Sequence, residues 1–210
     1  MNAEFQIGGV EIVTERLILR PFKSSDLDDF YEYAKVEGVG EMAGWKHHES
    51  KEHSKQILDL FIEEDKTFAL VLKSNGKVIG SLGVEKYGLE DKLSEFFHYQ
   101  GREIGYVLSK EHWGQGLMPE AVNAVIDYLF GVLDLDFLTC GYYLFNSQSK
   151  RVQEKCGFQP YRMLKMETRM GTTEQSVLNL LTNPRKNIVL EFSHPETLIY
   201  GSGLNGEFSI

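Results

Sequence analysis

Hydrophobic positions along the chain follow two repeats, and the places where one gives way to the other predict its elements. In Ile12 to Arg20 (IVTERLILR), Leu17 and Leu19 alternate with Ile18 and Arg20, the period of a strand, and Pro21 serves as its stop. A helix capped by Ser24 or Ser25 then places Leu27, Phe30, Tyr31 and Ala34 on one face until Gly38 ends it. Beyond the irregular stretch VGEMAGWKHHES of residues 39–50, Ile57, Leu58, Phe61 and Ile62 fall at the core spacing of a second helix. Residues 67–87 read as a hairpin, TFALVLK and VIGSLGVEKY around SNGK, with Asn75-Gly76 supplying the positive φ angles of a tight turn. After a charged loop at 88–94, Phe96 to His98 and Glu103 to Leu108 complete a central sheet. From Pro119 to Leu133 the apolar stripe of Ala121, Val122, Val125, Ile126, Leu129 and Phe130 predicts a helix, followed by a strand over Leu135 to Tyr143. A short helix from about Gln148, capped by Gly157, leads to a last antiparallel pair, Phe158 to Met170 and Glu174 to Leu181, around Gly171-Thr172-Thr173.

This order of elements is mixed α/β, with a right-handed parallel connection expected across the helix that starts at Pro119. At 210 residues, 42% apolar and 25% charged, the chain suits one soluble domain. Residues 1–183 are read as that domain and 184–210 as an extension of unassigned role. No run is long enough to span a bilayer and MNAEFQIGGVEI lacks the features of a signal peptide, so no membrane partner and a cytoplasmic location are expected. Cys140 and Cys156 read as buried free thiols. The formal net charge of −9 argues against nucleic acid as a partner and is compatible with a cationic one, such as an amine.

The chemistry concentrates in His112 to Ala121, HWGQGLMPEA. Gly114 and Gly116 stand between the apolar run IGYVL and a helix start, which is an anion-binding layout. Glycines allow a tight turn and close backbone approach, while free N–H groups and the positive dipole end of the helix face the ligand. Pyrophosphate is the expected guest. Dinucleotide and ATP fingerprints fit badly, because Pro119 stands where a third glycine belongs and no Lys-Ser or Lys-Thr follows. His47, His48 and His53 lack a carboxylate or thiol to complete a metal pattern, so no metal is expected.

The succession EIGYVL, WGQGLMPEA and NSQSKRVQEKCGF resembles the acetyl-CoA site of the GNAT acyltransferases, in particular the branch of ribosomal-protein N-terminal acetyltransferases, and TERLILRPF resembles that branch's opening. Trp113 fills the slot where the family pattern has Gln or Arg, and Met118 the slot of a small residue. The resemblance spans Thr14 to Leu181. It implies the GNAT fold, a mostly antiparallel twisted sheet with a parallel splayed pair flanked by helices, and acetyl-CoA as co-substrate. By the same resemblance, Tyr106, Val107 and Leu108 on the splayed strand and Asn146 would hold the pantetheine arm. Gly114, Gln115, Gly116, Leu117 and Met118 would hold the pyrophosphate. Glu103 is the candidate base and Ser149 the candidate donor to the departing thiolate, with Tyr142, Tyr143 and Tyr161 as other hydroxyls for that role. Trp45 and His48, in the connection between the first two helices, would shape the acceptor pocket. The residues leave alternatives open: Glu103 pairing with Arg102 or another surface cation, Asn146 and Ser149 only capping a helix, Trp45 packed with solvated histidines. The expected activity is transfer of acetyl to a small amine or to a protein N-terminus, with a homo-oligomer left open. The alternative is a non-catalytic acyl-CoA-binding or sensor domain.

Overall fold

The computed structural model describes residues 1–88 and 96–188. Eight strands form one sheet in the order β1-β2-β3-β4-β5-β6-β8-β7, antiparallel at every pairing except β5 with β6. They are β1 (Ile12–Val13), β2 (Leu17–Pro21), β3 (Thr67–Leu72), β4 (Val78–Glu85), β5 (Gly101–Leu108), β6 (Phe137–Tyr143), β7 (Gln159–Glu167) and β8 (Thr173–Thr182). The helices are α1 (Leu27–Ala34), α2 (Lys51–Glu64), α3 (Leu117–Gly131) and α4 (Ser147–Lys155). This is the expected mixed α/β architecture, with one parallel pair between β5 and β6.

Two layers of helix cover the sheet because its strands alternate. Leu17, Leu19, Leu82, Ile104 and Leu108 meet the α3 stripe of Ala121, Val122, Val125 and Leu129 in one core. On the opposite face Ala69, Val71, Val78 and Val107 pack with Phe30, Leu58 and Phe61 of α1 and α2. A third, aromatic cluster joins Tyr87, Phe96, Phe137 and Tyr161 at the β7 and β8 end. No helix among the described residues is long and apolar enough to cross a membrane.

Several boundaries differ from the sequence reading, each for a local reason. The first strand is split at Thr14, whose N–H and hydroxyl both turn back to the Leu17 carbonyl, and pairing runs through Pro21. Asp26, not Ser24 or Ser25, stands before α1, because Arg20 grips its carboxylate with two 2.8 Å hydrogen bonds and the Lys23 N–H donates to it. Helix α1 stops at Ala34, and Gly38 (φ 88°) belongs to the turn beyond it. In α2, Ile62 faces solvent. The tight turn uses a positive φ at Gly76 alone. Residues Phe96 to His98 form no strand, Phe96 instead filling the aromatic cluster as a buried anchor. Helix α3 starts two residues before Pro119, directly at the glycine turn, and α4 starts at Ser147, one residue before the expected Gln148. Residues 89–94 of the charged loop and 189–210 of the extension lie outside the described residues; Lys186 pairs with Asp134 and Asp136 at 3.0 and 2.7 Å.

Candidate active site

The parallel register of β5 and β6 covers three pairs only, Gly101 with Phe137, Arg102 with Leu138 and Glu103 with Thr139. Beyond Glu103 both strands continue, β5 to Leu108 and β6 to Tyr143, without pairing to each other. The gap opens into a cavity of about 540 Å³ lined by both strands, the glycine turn, the start of α3 and one face of α4. Exposed peptide edges of β5 at the wall of such a cleft offer hydrogen bonds to an extended ligand with amide groups of its own.

At one end the turn is held open and rigid. Gly114 (φ 74°) and Gly116 (φ 76°) both take left-handed backbone, and a Cβ on Gly114 would meet nothing within 4 Å. Gly116 is the N-cap of α3 and borders the cavity with Leu117 and Met118, so the first-turn N–H groups of those two residues lie at this end. Arg16 clamps this corner: its Nη1 donates to the Gln115 carbonyl at 2.9 Å and its Nε to Glu120 at 2.7 Å. Glu120 also accepts from the Thr14 hydroxyl and the Arg16 N–H, and these donors hold its carboxyl below the usual range despite burial. Arg151 and Lys155, exposed one turn apart on α4, line the same cavity and bring cationic charge to it. The sequence reading passed over them, although their i, i+4 spacing on a helix facing a glycine turn was the available signal.

Midway along the cavity Tyr106 reaches from β5 to α4, its hydroxyl 3.0 Å from Ser149 Oγ and donating to the Ser149 carbonyl at 3.2 Å. Gln153 Nε2 donates to Ser149 Oγ at 3.1 Å, and Asn179 Nδ2 donates to Gln153 Oε1 at 2.7 Å. Ser149 Oγ thus accepts from Gln153 and shares with the Tyr106 hydroxyl a hydrogen bond in which either group can donate. Burial pushes the Tyr106 hydroxyl well up, so it stays protonated near neutrality. Asn146 does cap α4, accepting from the Ser149 N–H at 2.9 Å, and its other amide end donates to the Met42 carbonyl at 2.9 Å.

Glu103 stands where the paired strands part. Burial raises its carboxyl to about 7, with the like charge of Glu85 adding to the rise and a Thr139 hydroxyl at 3.4 Å opposing it. A carboxylate of this kind is half ionised near neutrality and suited to accepting a proton. The far end is closed by the short helix Glu41–Ala43, where the Arg169 N–H donates to the Gly44 carbonyl at 2.8 Å. Trp45, Tyr142 and Tyr143 line this end, and so does Ser176, whose buried hydroxyl has no hydrogen-bond partner among the described residues.

Of the residues singled out in the sequence, Trp45, Glu103, Tyr106, Val107, Leu108, Gly114, Gly116, Leu117, Met118, Asn146 and Ser149 all border this one cavity. Gln115 does not; its side chain turns back to the Glu111 carbonyl. His48 does not either. Its ring is 4% exposed, packed on Phe30 and Trp45, with Nδ1 2.7 Å from Ser54 Oγ, so it belongs to the wall behind Trp45. Trp113 uses its indole N–H on the Leu108 carbonyl at 2.8 Å, which fixes the end of β5 against the turn. Tyr161 packs in the aromatic cluster. Among the described residues no group of His, Cys, Asp and Glu could hold a metal ion.

A family model described as an acetyltransferase (GNAT) domain matches residues 16–159. The sequence is 29% identical over 159 residues to "Uncharacterized N-acetyltransferase p20" of Bacillus licheniformis, covering 73% of this chain and 85% of that protein. Among solved structures, a GNAT-family acetyltransferase from Bacillus anthracis superposes with a TM-score of 0.72 at 21% identity, over 83% of this chain and 99% of that one. The ribosomal-protein-S5-alanine acetyltransferase from Vibrio fischeri gives 0.65 at 26% identity, over 83% and 97%.

Proposed function

Because the chain belongs to the GNAT acetyltransferases, we propose that its cavity carries acetyl-CoA with the pyrophosphate at Gly114 to Met118 and the acyl end beside Glu103. The observation that carries this reading is the open parallel pair, a single cleft that runs from a helix N-terminus to a carboxylate. The left-handed glycines, the free first-turn N–H groups and the cations Arg151 and Lys155 fit a pyrophosphate, while the unpaired length of β5 fits an amide-bearing arm.

The acceptor is a primary amine, of a small molecule or of a protein N-terminus. Likeness to a ribosomal-protein alanine acetyltransferase supports the second, and the net charge of −9 supports attraction of either. An ammonium has no lone pair, so Glu103 takes one of its protons, directly or through water. The freed lone pair forms the new C–N bond as the C–S bond breaks. Ser149 gives its proton to the departing sulfur, and the second proton that the nitrogen loses as it becomes an amide returns to Ser149, directly or through water, with the Tyr106 hydroxyl beside it to steady the exchange. Trp45 walls the acceptor end.

Thiol release from acetyl-CoA, measured with pooled small amines and with N-terminal peptides, tests this reading. Release that depends on an added amine is the expected result. Binding of acetyl-CoA without release for any amine would instead make the protein an acyl-CoA-binding domain.

A further inference from the structure

Glu103 has a neighbour that the chemistry above does not use. In the antiparallel β4 and β5 pair, Glu85 lies directly opposite Glu103, so both side chains leave the sheet on the same face. The next pair on that face is Gly83 opposite Gly105, which leaves a hollow beside the two carboxyls. Glu85 folds into it: a Cβ built on Gly83 would lie 2.8 Å from Glu85 Oε1. Glu85 is 2% exposed, and Oε1 has no hydrogen-bond donor among the described residues. A buried carboxylate oxygen without a donor is costly, and a proton held on the pair relieves that cost.

The other side of Glu85 is tied to the surface. Lys66 Nζ lies 2.8 Å from Glu85 Oε2 and 3.1 Å from Glu64 Oε2, on the rim where α2 ends. The charged and titratable groups around Glu85 are therefore Lys66, Glu64, Arg102 and Glu103. Those around Glu103 are Glu85 from β4 and Cys140 and Tyr143 from β6, with the Thr139 hydroxyl as its donor. Glu85 is thus the one carboxylate facing Glu103 from its own sheet partner, and burial raises its carboxyl to about 7 as well.

We propose that Glu85 is a positioning residue for the base: opposite Glu103 and over the Gly83 and Gly105 hollow, its carboxyl forms with Glu103 one titrating unit whose shared charge sets the proton affinity of Glu103. This rests on Glu103 being the base. Lys66 holds Glu85 Oε2 at the rim while Oε1 lies over the hollow, so the proton that Glu103 takes from an ammonium enters a site beside a second carboxyl whose like charge favours holding it.

The test is a titration of Glu103 itself, by carboxyl carbon NMR of the ligand-free protein labelled at glutamate, with the resonance assigned by its loss in Glu103→Gln. In Glu85→Gln the opposing charge is gone, so the Glu103 midpoint should fall by about one pH unit. The acid limb of kcat/KM should move to lower pH by the same amount, and the plateau should drop a few-fold because a weaker base accepts the proton less well. Gly83→Ala, which pushes the Glu85 carboxyl off its seat without removing it, should move both in the same direction by less. It also keeps the test open if Glu85→Gln folds poorly. A Glu103 midpoint that stays put in both variants overturns the proposal, since a purely structural Glu85 would change stability alone. A midpoint that moves while the acid limb does not supports the paired carboxyls and rejects Glu103 as the base.

Discussion

The two ends of the cavity are built by different means. At the glycine end the wall is mainly backbone, namely N–H groups at the start of α3 and two glycines with left-handed φ from one stretch of ten residues, with Arg151 and Lys155 of α4 beside it. At the Trp45 end they are side chains from four distant places: Trp45 after the short helix Glu41–Ala43, Tyr142 and Tyr143 on β6, Ser176 on β8 and Arg169 at the β7 and β8 turn. A backbone site is fixed by φ and helix geometry and tolerates side-chain drift, provided that the glycines stay. A side-chain site is free to change its specificity one residue at a time. On the proposed reading, the pyrophosphate falls to the backbone end and the acceptor to the side-chain end.

The change expected to be largest is at the backbone end. Gly116→Val places a β-branched residue at φ 76°, where only glycine is unstrained, and puts bulk at the mouth of α3. Acetyl-CoA affinity should fall by about a hundredfold or more, and the rise in Tm that acetyl-CoA gives the parent protein should vanish. The comparison breaks if the Tm shift survives, because the turn would then be structural only. ATP or NAD giving the same shift as acetyl-CoA would break it too.

Next in size is Glu103→Gln, at the point where the two ends meet. The amide keeps shape but accepts no proton, so turnover should fall on the order of 10²-fold while the acetyl-CoA Tm shift stays. Since the Glu103 carboxyl titrates at about 7, the parent's rate should rise with pH through that value. The variant's deficit should shrink toward the acceptor amine's own pKa, where free amine is already present. Ser149→Ala serves as the contrast: its deficit should stay level with pH, because sulfur departure does not depend on the acceptor's protonation. Rate against pH for both variants separates the two roles.

The difference between the ends also explains how much of the molecule could be read from its residues. Gly114 and Gly116 announce themselves because a left-handed turn before an apolar helical stripe leaves few residue choices, and NSQSKRVQEKCGF carries both a cap and its glycine stop. The parallel pair followed from the helix connecting two apolar runs. Glu85 stayed hidden because it reads as a strand end at the surface; only the register opposite Glu103 gives it a buried carboxyl partner. Ser176 was likewise a polar residue in a strand until pairing set it against Tyr143 and the cavity. Asp26 took the place of the expected serine cap because Arg20, six residues away and in another element, binds its carboxylate, a contact that local propensity cannot reveal.

The smallest expected effect on activity, and the one that sharpens the acceptor end most, is at His48. In sequence it stood beside Trp45 as a pocket residue, whereas its ring lies behind that tryptophan, bonded to Ser54 and packed 4.4 Å from His53 by ring centroids. Burial lowers its pKa to about 4, with the nearby His53 and His47 adding to the fall, so the folded protein requires the neutral ring. The unfolded chain titrates near the ordinary 6.5. Above 6.5 neither state is protonated and the contribution is complete, and it is lost as pH falls from 6.5 toward 4, because protons then bind the unfolded chain preferentially. His48→Gln keeps a polar partner for Ser54 and removes the titration. At pH 7 it should cost about 1 kcal/mol through lost packing, while the additional drop in Tm between pH 7 and pH 5 should be smaller than in the parent. Activity per folded molecule, and KM for the acceptor, should stay within about twofold. A large rise in acceptor KM with unchanged stability would place His48 in the pocket after all, and would mean that Trp45 moves aside when substrate binds.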